Sequence, residues 1–589
     1  MTAQHRDTDT TSHLHAGWSR REIDIPARGY AMFGYGQWTH RARGARTPLY
    51  ARAIVLGHAG EAPLIFCCLD LGCITHAMRA GIRDRLAVSP ACGMDGSGFD
   101  ESRLVLTATH THSAPGGCTH DALYNMPTPG FVPAHLAAVV DAACAAIEAA
   151  LAARAPTDVA LGEDSFAPAV PVAWNRSLDA WNRNPEVVRY TPQQTHLALD
   201  RRMQVISLRR DGRTRALLSL FGVHATCVGN QRDLHDGDNK GYAAARAEAT
   251  LRAQGADDAV AVFAQGTAGD VSPHYQGPGD LARRKALRGE AEYRYAEQNG
   301  RHQSDLALQV LAQDGATVGG RIDSVLAWLD LSDVHADPRF AHGHADARTS
   351  EPCHGVAFFR GCRIDGPGMA APLGMAAAGV ARALKAKRLA GIGLDDAQRE
   401  HYRRLYAAQG DKDVLLEAGS KRILGQKLAD LALPDIADPL VGEIKRQARI
   451  GAIDKSDMVP SVMPLQIVRI GDLALVCCPG EFTGTAGRRL RESVAERLRA
   501  GGISRVLICT YCNDYMGYVT TREEYQLQRY EGGHTLFGQW TLAAFQTGFD
   551  RVAAELLKPA GGRTRIGGDE PAPPPADELA LRSDLPVPG

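Results

Sequence analysis

Charge of one sign is what this 589-residue sequence most lacks: 66 basic against 67 acidic residues leave a net charge of −1. The chain as a whole therefore has no pull towards phosphate backbones or anionic membranes, and nucleic acid is excluded as an expected partner. An apolar leader is missing too. Met1 to Gly17 is polar and rich in His, Thr and Asp, so it reads as neither signal peptide nor anchor and predicts a cytoplasmic protein. Nor is there a long uncharged apolar run. The most membrane-like stretch, Leu136 to Ala153, is mostly alanine and carries Asp141 and Glu148, which predicts a packed helix opened by Pro133 and no transmembrane segment.

A disulfide framework is excluded by the cysteines, thirteen in all and scattered through apolar runs such as Cys67-Cys68 and Cys477-Cys478. Cys509-Thr-Tyr-Cys512 has no second pair nearby, so core thiols are expected there and not a zinc or redox site. No internal repeat is visible.

What is present is the balance of a soluble globular protein, 44% hydrophobic and 23% charged. The length leaves room for three ordinary domains or one large enzyme domain. Strand and helix patterns alternate. Tyr50 to Leu56, Leu64 to Leu71, Ala216 to His224, Ala259 to Gln265 and Arg505 to Cys509 read as strands, and Pro464 to Cys478 as a hairpin turning at Gly471-Asp472. Helices are predicted over Leu136–Leu151, from about Gly241 to Arg252, over Arg488–Arg499 and over Thr541–Leu557. Together they predict an α/β fold of mixed β-sheets flanked by helices, with a functional site at strand ends. Residues 1–15 and the Pro/Gly-rich 559–589 are expected to be disordered. The charged helical region 281–455 is expected to form an insertion or cap on a catalytic body spanning 16–558.

Leu104 to Gly117 is the most informative stretch. Its apolar run ends in Thr109-His110-Thr111-His112 before a Pro115-Gly116-Gly117 turn. In an extended chain alternate side chains share a face, so His110 and His112 could serve one ion or one substrate. His13-Leu-His15 and His342-Gly-His344 have the same spacing, so His110 stands out only by its place at the mouth of a strand. Four more polar residues lie at or just after an apolar strand run: His224, Ser272, Glu481 and Tyr518. Two imidazoles and a carboxylate suit zinc, which takes N and O ligands and acidifies a bound water. Taken singly, His224 reads as a strand cap, Ser272 as a turn residue before Pro273, Glu481 as a helix cap, Tyr518 and Tyr530 as core tyrosines, and Arg176 as a solvated loop arginine.

The ordered series Thr107–Gly117, Asn175-Arg-Ser177, Asp238-Asn-Lys-Gly-Tyr-Ala243, Phe263–Pro273, Pro479-Gly-Glu-Phe-Thr483 and Gly517–Tyr525 followed by Arg529-Tyr-Glu-Gly-Gly533 resembles the neutral/alkaline ceramidase family, from about Gly17 to Leu557. The resemblance implies a zinc-dependent amidase that cleaves the N-acyl bond of ceramide to a fatty acid and a sphingoid base. It implies one Zn²⁺ per chain held by His110, His224, Glu481 and Tyr518, and Ser272 as a nucleophile activated by zinc-bound water. It also implies that His112, Arg176 and Tyr530 surround the reacting amide, so that only one member of the His-x-His pair holds metal. The family commonly carries a C-terminal immunoglobulin-like domain, which 559–589 is too short to form. Phe358, Phe359 and Arg360, before Asp365-Gly-Pro-Gly368, are bulky neighbours for a lipid pocket. A hydrolase of a smaller soluble N-acyl amide or ester, and an inactive zinc-binding protein, are the alternative readings.

Overall fold

The computed structural model describes residues 14–27, 29–93, 98–125, 130–432 and 439–583. Three β-sheets follow one another along the chain, each built to the same plan. The first contains β1 (His15–Glu22), β2 (Tyr50–Gly57), β3 (Leu64–Leu69) and β4 (Leu104–Ala108), in the order β4-β3-β2-β1 with Ala155–Pro156 at its edge. The second contains β5 (Asp158–Ser165), β6 (Arg202–Arg210), β7 (Arg213–Leu220) and β8 (Val260–Ala264), ordered β8-β7-β6-β5 with Ala316–Thr317 beyond. The third is β9 (Ile322–Asp330), β10 (Val462–Ile470), β11 (Leu473–Cys477) and β12 (Arg505–Cys509), in that order.

In each sheet the first three strands are antiparallel and the fourth joins parallel to the third. A parallel neighbour needs a crossover, and each time a helix makes it. These crossovers are α1 (His76–Ala87) before β4, α3 (Asp238–Ala253) before β8 and α7 (Gly484–Leu498) before β12. The sequence shows no repeat, yet the topology occurs three times.

Side-chain alternation sorts every strand between two cores. Ile54, Leu56, Phe66 and Val105 of the first sheet, Leu218, Leu220 and Val262 of the second, and Leu473, Leu475 and Leu507 of the third meet in one central cluster. The opposite faces are covered by helices. Ala53, Val55, Ile65 and Leu106 pack with residues of α1 and of α2 (Pro133–Ala152). Leu217, Ala261 and Phe263 pack with α3 and α4 (Glu290–Leu311). Ile467, Ala474 and Val476 pack with α7 and α8 (Thr541–Leu556). Strands buried on both faces explain why the sequence runs are continuously apolar instead of alternating. Among the described residues α2 alone is long and apolar enough to cross a membrane, and half of its most apolar window is buried in the protein.

Two expectations need correction. Region 281–455 is not one helical cap: α4 lies on α3, and β9 is an edge strand of the third sheet. The part from Cys353 forms a four-stranded sheet of its own, from Cys353 to Lys427, with α5 (Ala371–Leu389) and α6 (Asp396–Gln409), and packs through Leu416 and Ala418 on the core of the third sheet. The C-terminal tail is ordered through Ser583. Gly567 adopts a positive φ of 72° and lies so close to the Trp328 carbonyl that a Cβ would be 1.9 Å from its oxygen. Glu570 pairs with Arg83 and His76, Glu578 accepts from the Ser456 amide at 3.1 Å, and the fully buried Arg582 donates to the His120 carbonyl. Pro and Gly thin out the apolar pattern, but charge pairs anchor the tail. Of the N-terminal 1–15, residues 1–13 lie outside the described residues and His15 already belongs to β1. The thirteen cysteines are free thiols, Cys509 and Cys512 buried among them.

The parallel strands β4, β8 and β12 end beside one another and are tied through one residue. Gln265, wholly buried, donates from Nε2 to the Thr109 carbonyl at 2.9 Å and the Val223 carbonyl at 2.7 Å, and its Oε1 accepts from the Val223 amide at 3.1 Å. Its backbone carbonyl accepts from Thr510 at 3.1 Å. Leucine at 265 keeps the bulk and orphans two carbonyls and an amide, so Gln265→Leu is expected to cost about 2–4 kcal/mol, at about 1 kcal/mol per buried bond. A urea-unfolding midpoint unchanged from wild type would refute this.

Candidate functional site

Beyond the strand ends the chain places polar groups in one buried cluster. β4 stops at Ala108, and His110 takes a left-handed conformation with φ 65°. The two histidines thus do not share a face of a strand; the turn at His110 brings His112 Nε2 to 3.1 Å from His110 Nε2. Tyr511, two residues past β12, is also left-handed at φ 58°, and its ring centroid lies 4.3 Å from that of His110. The equivalent position after β8 is Gly266. Glu481 and Tyr518 are opposite each other in a two-residue parallel pairing of Glu481–Phe482 with Tyr518–Val519, which sets carboxylate and phenol side by side.

His110 Nδ1 donates to the Gly72 carbonyl at 2.5 Å and His224 Nδ1 to the Val271 carbonyl at 2.9 Å. Each contact leaves Nε2 as the lone-pair nitrogen. Those nitrogens point at opposite oxygens of Glu481, His110 at 3.5 Å and His224 at 3.0 Å. The Tyr518 hydroxyl is 3.2 Å from His224 Nε2. Tyr511 and Tyr515 donate to Glu481 at 3.1 and 2.5 Å, fixing its plane. Burial pushes His110 down to about 4 and His112 well below its ordinary value. Burial alone would raise Glu481, but His110, His224 and Tyr515 outweigh it and hold the carboxyl well below the usual range. The donor atoms of His110, His224 and Glu481 lie within 4.8 Å of one another. Two imidazole lone pairs facing a buried carboxylate are a donor set that a divalent cation completes, and borderline zinc suits it.

Arg176 joins this cluster to the serine. All five of its N–H groups are engaged: Nε donates to Glu531 at 2.7 Å, one terminal nitrogen to Asp365 at 3.1 Å and His224 Nε2 at 3.4 Å, the other to the Gly269 carbonyl at 2.8 Å and the Tyr518 hydroxyl at 2.9 Å. Ser272 donates to the other oxygen of Asp365 at 2.7 Å and accepts from the His274 amide at 3.0 Å. The half-buried Tyr530 ring lies 5.4 Å from the Arg176 guanidinium and 5.4 Å from Tyr518.

The structure thus gathers His110, His112, Arg176, His224, Ser272, Glu481, Tyr518 and Tyr530 into one neighbourhood. His342 and His344 lie elsewhere, beside Glu523 and Trp540, and His13 lies outside the described residues. Sequence reasoning missed Asp365, Glu531, Tyr511 and Tyr515. Asp365 sits in the quoted Asp-Gly-Pro-Gly, Glu531 in the quoted Tyr-Glu-Gly-Gly, Tyr511 inside the C-x-x-C and Tyr515 three residues after it; a carboxylate aimed at Ser272 from a distant loop leaves no local pattern.

The family model for neutral/alkaline non-lysosomal ceramidases, N-terminal part, matches residues 15–429 and 446–547. The neutral ceramidase of Pseudomonas aeruginosa is 31% identical over 548 residues, 92% of this chain and 72% of that one. That of Mycobacterium tuberculosis is 32% identical over 574 residues, 95% and 79%. A solved ceramidase complexed with C2 superimposes with a TM-score of 0.74 at 28% identity, covering 95% of this chain and 77% of the other. A crystal structure of the Pseudomonas aeruginosa enzyme gives 0.73 at 29%, with the same coverage.

Burial would raise Asp365, but Arg176, with His274, His224 and Ser272, holds it below the ordinary aspartate value. Its stabilisation is therefore complete above the unfolded value of about 4 and is lost as pH falls through the lower folded value. Asp365→Asn is expected to flatten the acid limb of stability against pH below about pH 4. Parallel acid limbs for variant and wild type would refute it.

Proposed function

Because this chain belongs to the neutral/alkaline non-lysosomal ceramidase family, we propose that it hydrolyses the N-acyl bond of ceramide, with Ser272 as nucleophile and one Zn²⁺ held by His110, His224, Glu481 and Tyr518. The observation that carries this reading is the convergence of His110, His224 and Glu481 with a buried serine joined to them through Asp365 and Arg176. Bound there, zinc supplies a Lewis acid and lowers the pKa of water.

The chain's own residues do the rest. Ser272 Oγ gives up its proton as it bonds to the amide carbonyl carbon, the C–N bond breaks as the nitrogen gains that proton and leaves as the sphingoid amine, and water then adds to the acyl carbon and returns a proton to Oγ as the fatty acid departs. Asp365 accepts the serine hydroxyl and aims its lone pair; held low by Arg176, it is a poor resting place for the proton and acts by positioning. His112 Nε2, 3.1 Å from His110 Nε2, and the Tyr530 hydroxyl are the two donors available to the developing oxyanion. Arg176 holds Asp365, Glu531 and Tyr518 in register. Burial of His110, His224, Ser272 and Glu481 keeps bulk water from them and strengthens their contacts.

The deciding experiment measures fatty-acid release from detergent-dispersed ceramide by wild type, Ser272→Ala and a chelated sample. Wild-type turnover with both controls silent is expected, and more than a few per cent of wild-type activity in Ser272→Ala would sink the serine mechanism. Arg176→Lys loses the fork that joins two carboxylates and a phenol, so kcat should fall about 100-fold, the size of a lost transition-state contact, with KM within about threefold. A rise in KM at constant kcat would instead make Arg176 a substrate-binding group.

A further inference from the structure

Exposed apolar side chains are unevenly spread. Nine large ones are exposed among the described residues, and five of them, Leu373, Met375, Val380, Leu389 and Ile392, fall on α5 and the turn after it. Helical periodicity explains the two faces of α5. Gly374, Ala377, Ala381 and Arg388 are buried, and Arg388 is committed to Glu417 at 2.7 Å. On the outer face Met375 and Val380 are separated by alanine and glycine where a solvated helix would carry charge.

The charged side chains of the helix itself are all basic, although Arg382 and Arg388 have acidic partners outside it and Asp395 and Asp396 follow it. Residues 366–394 contain four basic residues and no Asp or Glu, in a chain whose net charge is −1. Lys387 is exposed, and the Arg382 side chain is 72% exposed although it pairs with Asp413. An apolar face edged by cations complements lipid headgroups over acyl chains.

Position adds the second argument. The loop before α5 carries Asp365, the partner of Ser272. The inner face of α5 clusters through Ala377 with Phe359 and Met369. The Phe359 ring is 5.0 Å from Phe358, which stacks at 5.6 Å on Tyr530. Apolar contacts therefore run unbroken from the exposed helix to the reacting centre.

We propose that α5 docks on an anionic lipid bilayer, lying in the headgroup layer and presenting the site to the surface a lipid amide must leave. The proposal rests on the ceramide reading of the site for its occupant. A second copy of the chain or another protein covering α5 is an outcome of the test, not part of the proposal.

The test uses the full chain with phosphatidylcholine vesicles, with and without phosphatidylglycerol, in wild type, Leu373→Glu/Val380→Glu and Lys387→Glu. Co-sedimentation is measured alongside hydrolysis of vesicle-embedded ceramide and of a water-soluble short-chain ceramide. Wild type should sediment with the vesicles, and more so with phosphatidylglycerol. The double variant should lose about tenfold or more in vesicle binding and in kcat/KM on embedded ceramide, with kcat/KM on the soluble substrate unchanged. Lys387→Glu should lose the phosphatidylglycerol gain. Wild type left in the supernatant with both vesicle types, equal losses on both substrates, or a wild-type dimer that the double variant abolishes while vesicle binding persists would each overturn the proposal. Absence of turnover on either substrate overturns the proposed function instead, and sedimentation still decides the docking.

Discussion

Three sheets can share a site only if their strand ends are held together, and one glutamine does so with its side chain and its backbone carbonyl. Gln265 bonds to backbone on the strand-end segments after β4 and β7, and its own carbonyl receives the segment after β12. In a core this apolar each of those backbone groups would otherwise be an unpaired polar atom. Everything above them, His110, His224, Ser272, Glu481 and Tyr518, inherits its position from that junction. The site is therefore a property of how the sheets meet and not of any one sheet.

Charge inside the protein is arranged on the same economy. Arg176 lies wholly buried with Asp365 and Glu531 as partners, a combination in which desolvation is offset only because every donor is used. Glu481 has the opposite problem: a buried carboxylate surrounded by two imidazoles and two phenols, with no arginine or lysine among its direct partners. Its neighbours donate to it or turn lone pairs towards it, and that asymmetry is what makes the position suited to a cation.

Much of this was readable in the chain. The strands around Val55, Leu106, Leu218, Val262, Val476 and Leu507 were legible because each is a short apolar run closed by turn residues, and the polar residues singled out after the last five of these runs do lie at the cluster. Three things were not legible. The threefold topology leaves no sequence repeat, because it is carried by strand direction and crossovers that any apolar residue satisfies. The meeting of His110 and His112 depends on a left-handed residue, whereas period-two reasoning assumes extended chain. The tail from Pro559 looked unstructured because its order comes from Glu570, Glu578 and Arg582 reaching distant partners, and local composition cannot report a partner more than a hundred residues away.

The distribution of the cluster along the chain has a bearing on biosynthesis. His110 and His224 leave the ribosome early, but Glu481 follows more than 250 residues after His224. A nascent chain thus displays two imidazoles without their carboxylate. The full donor set comes into being only when the third sheet docks. The donors that could face a cation are consequently brought together by the finished fold and not by the emerging polypeptide.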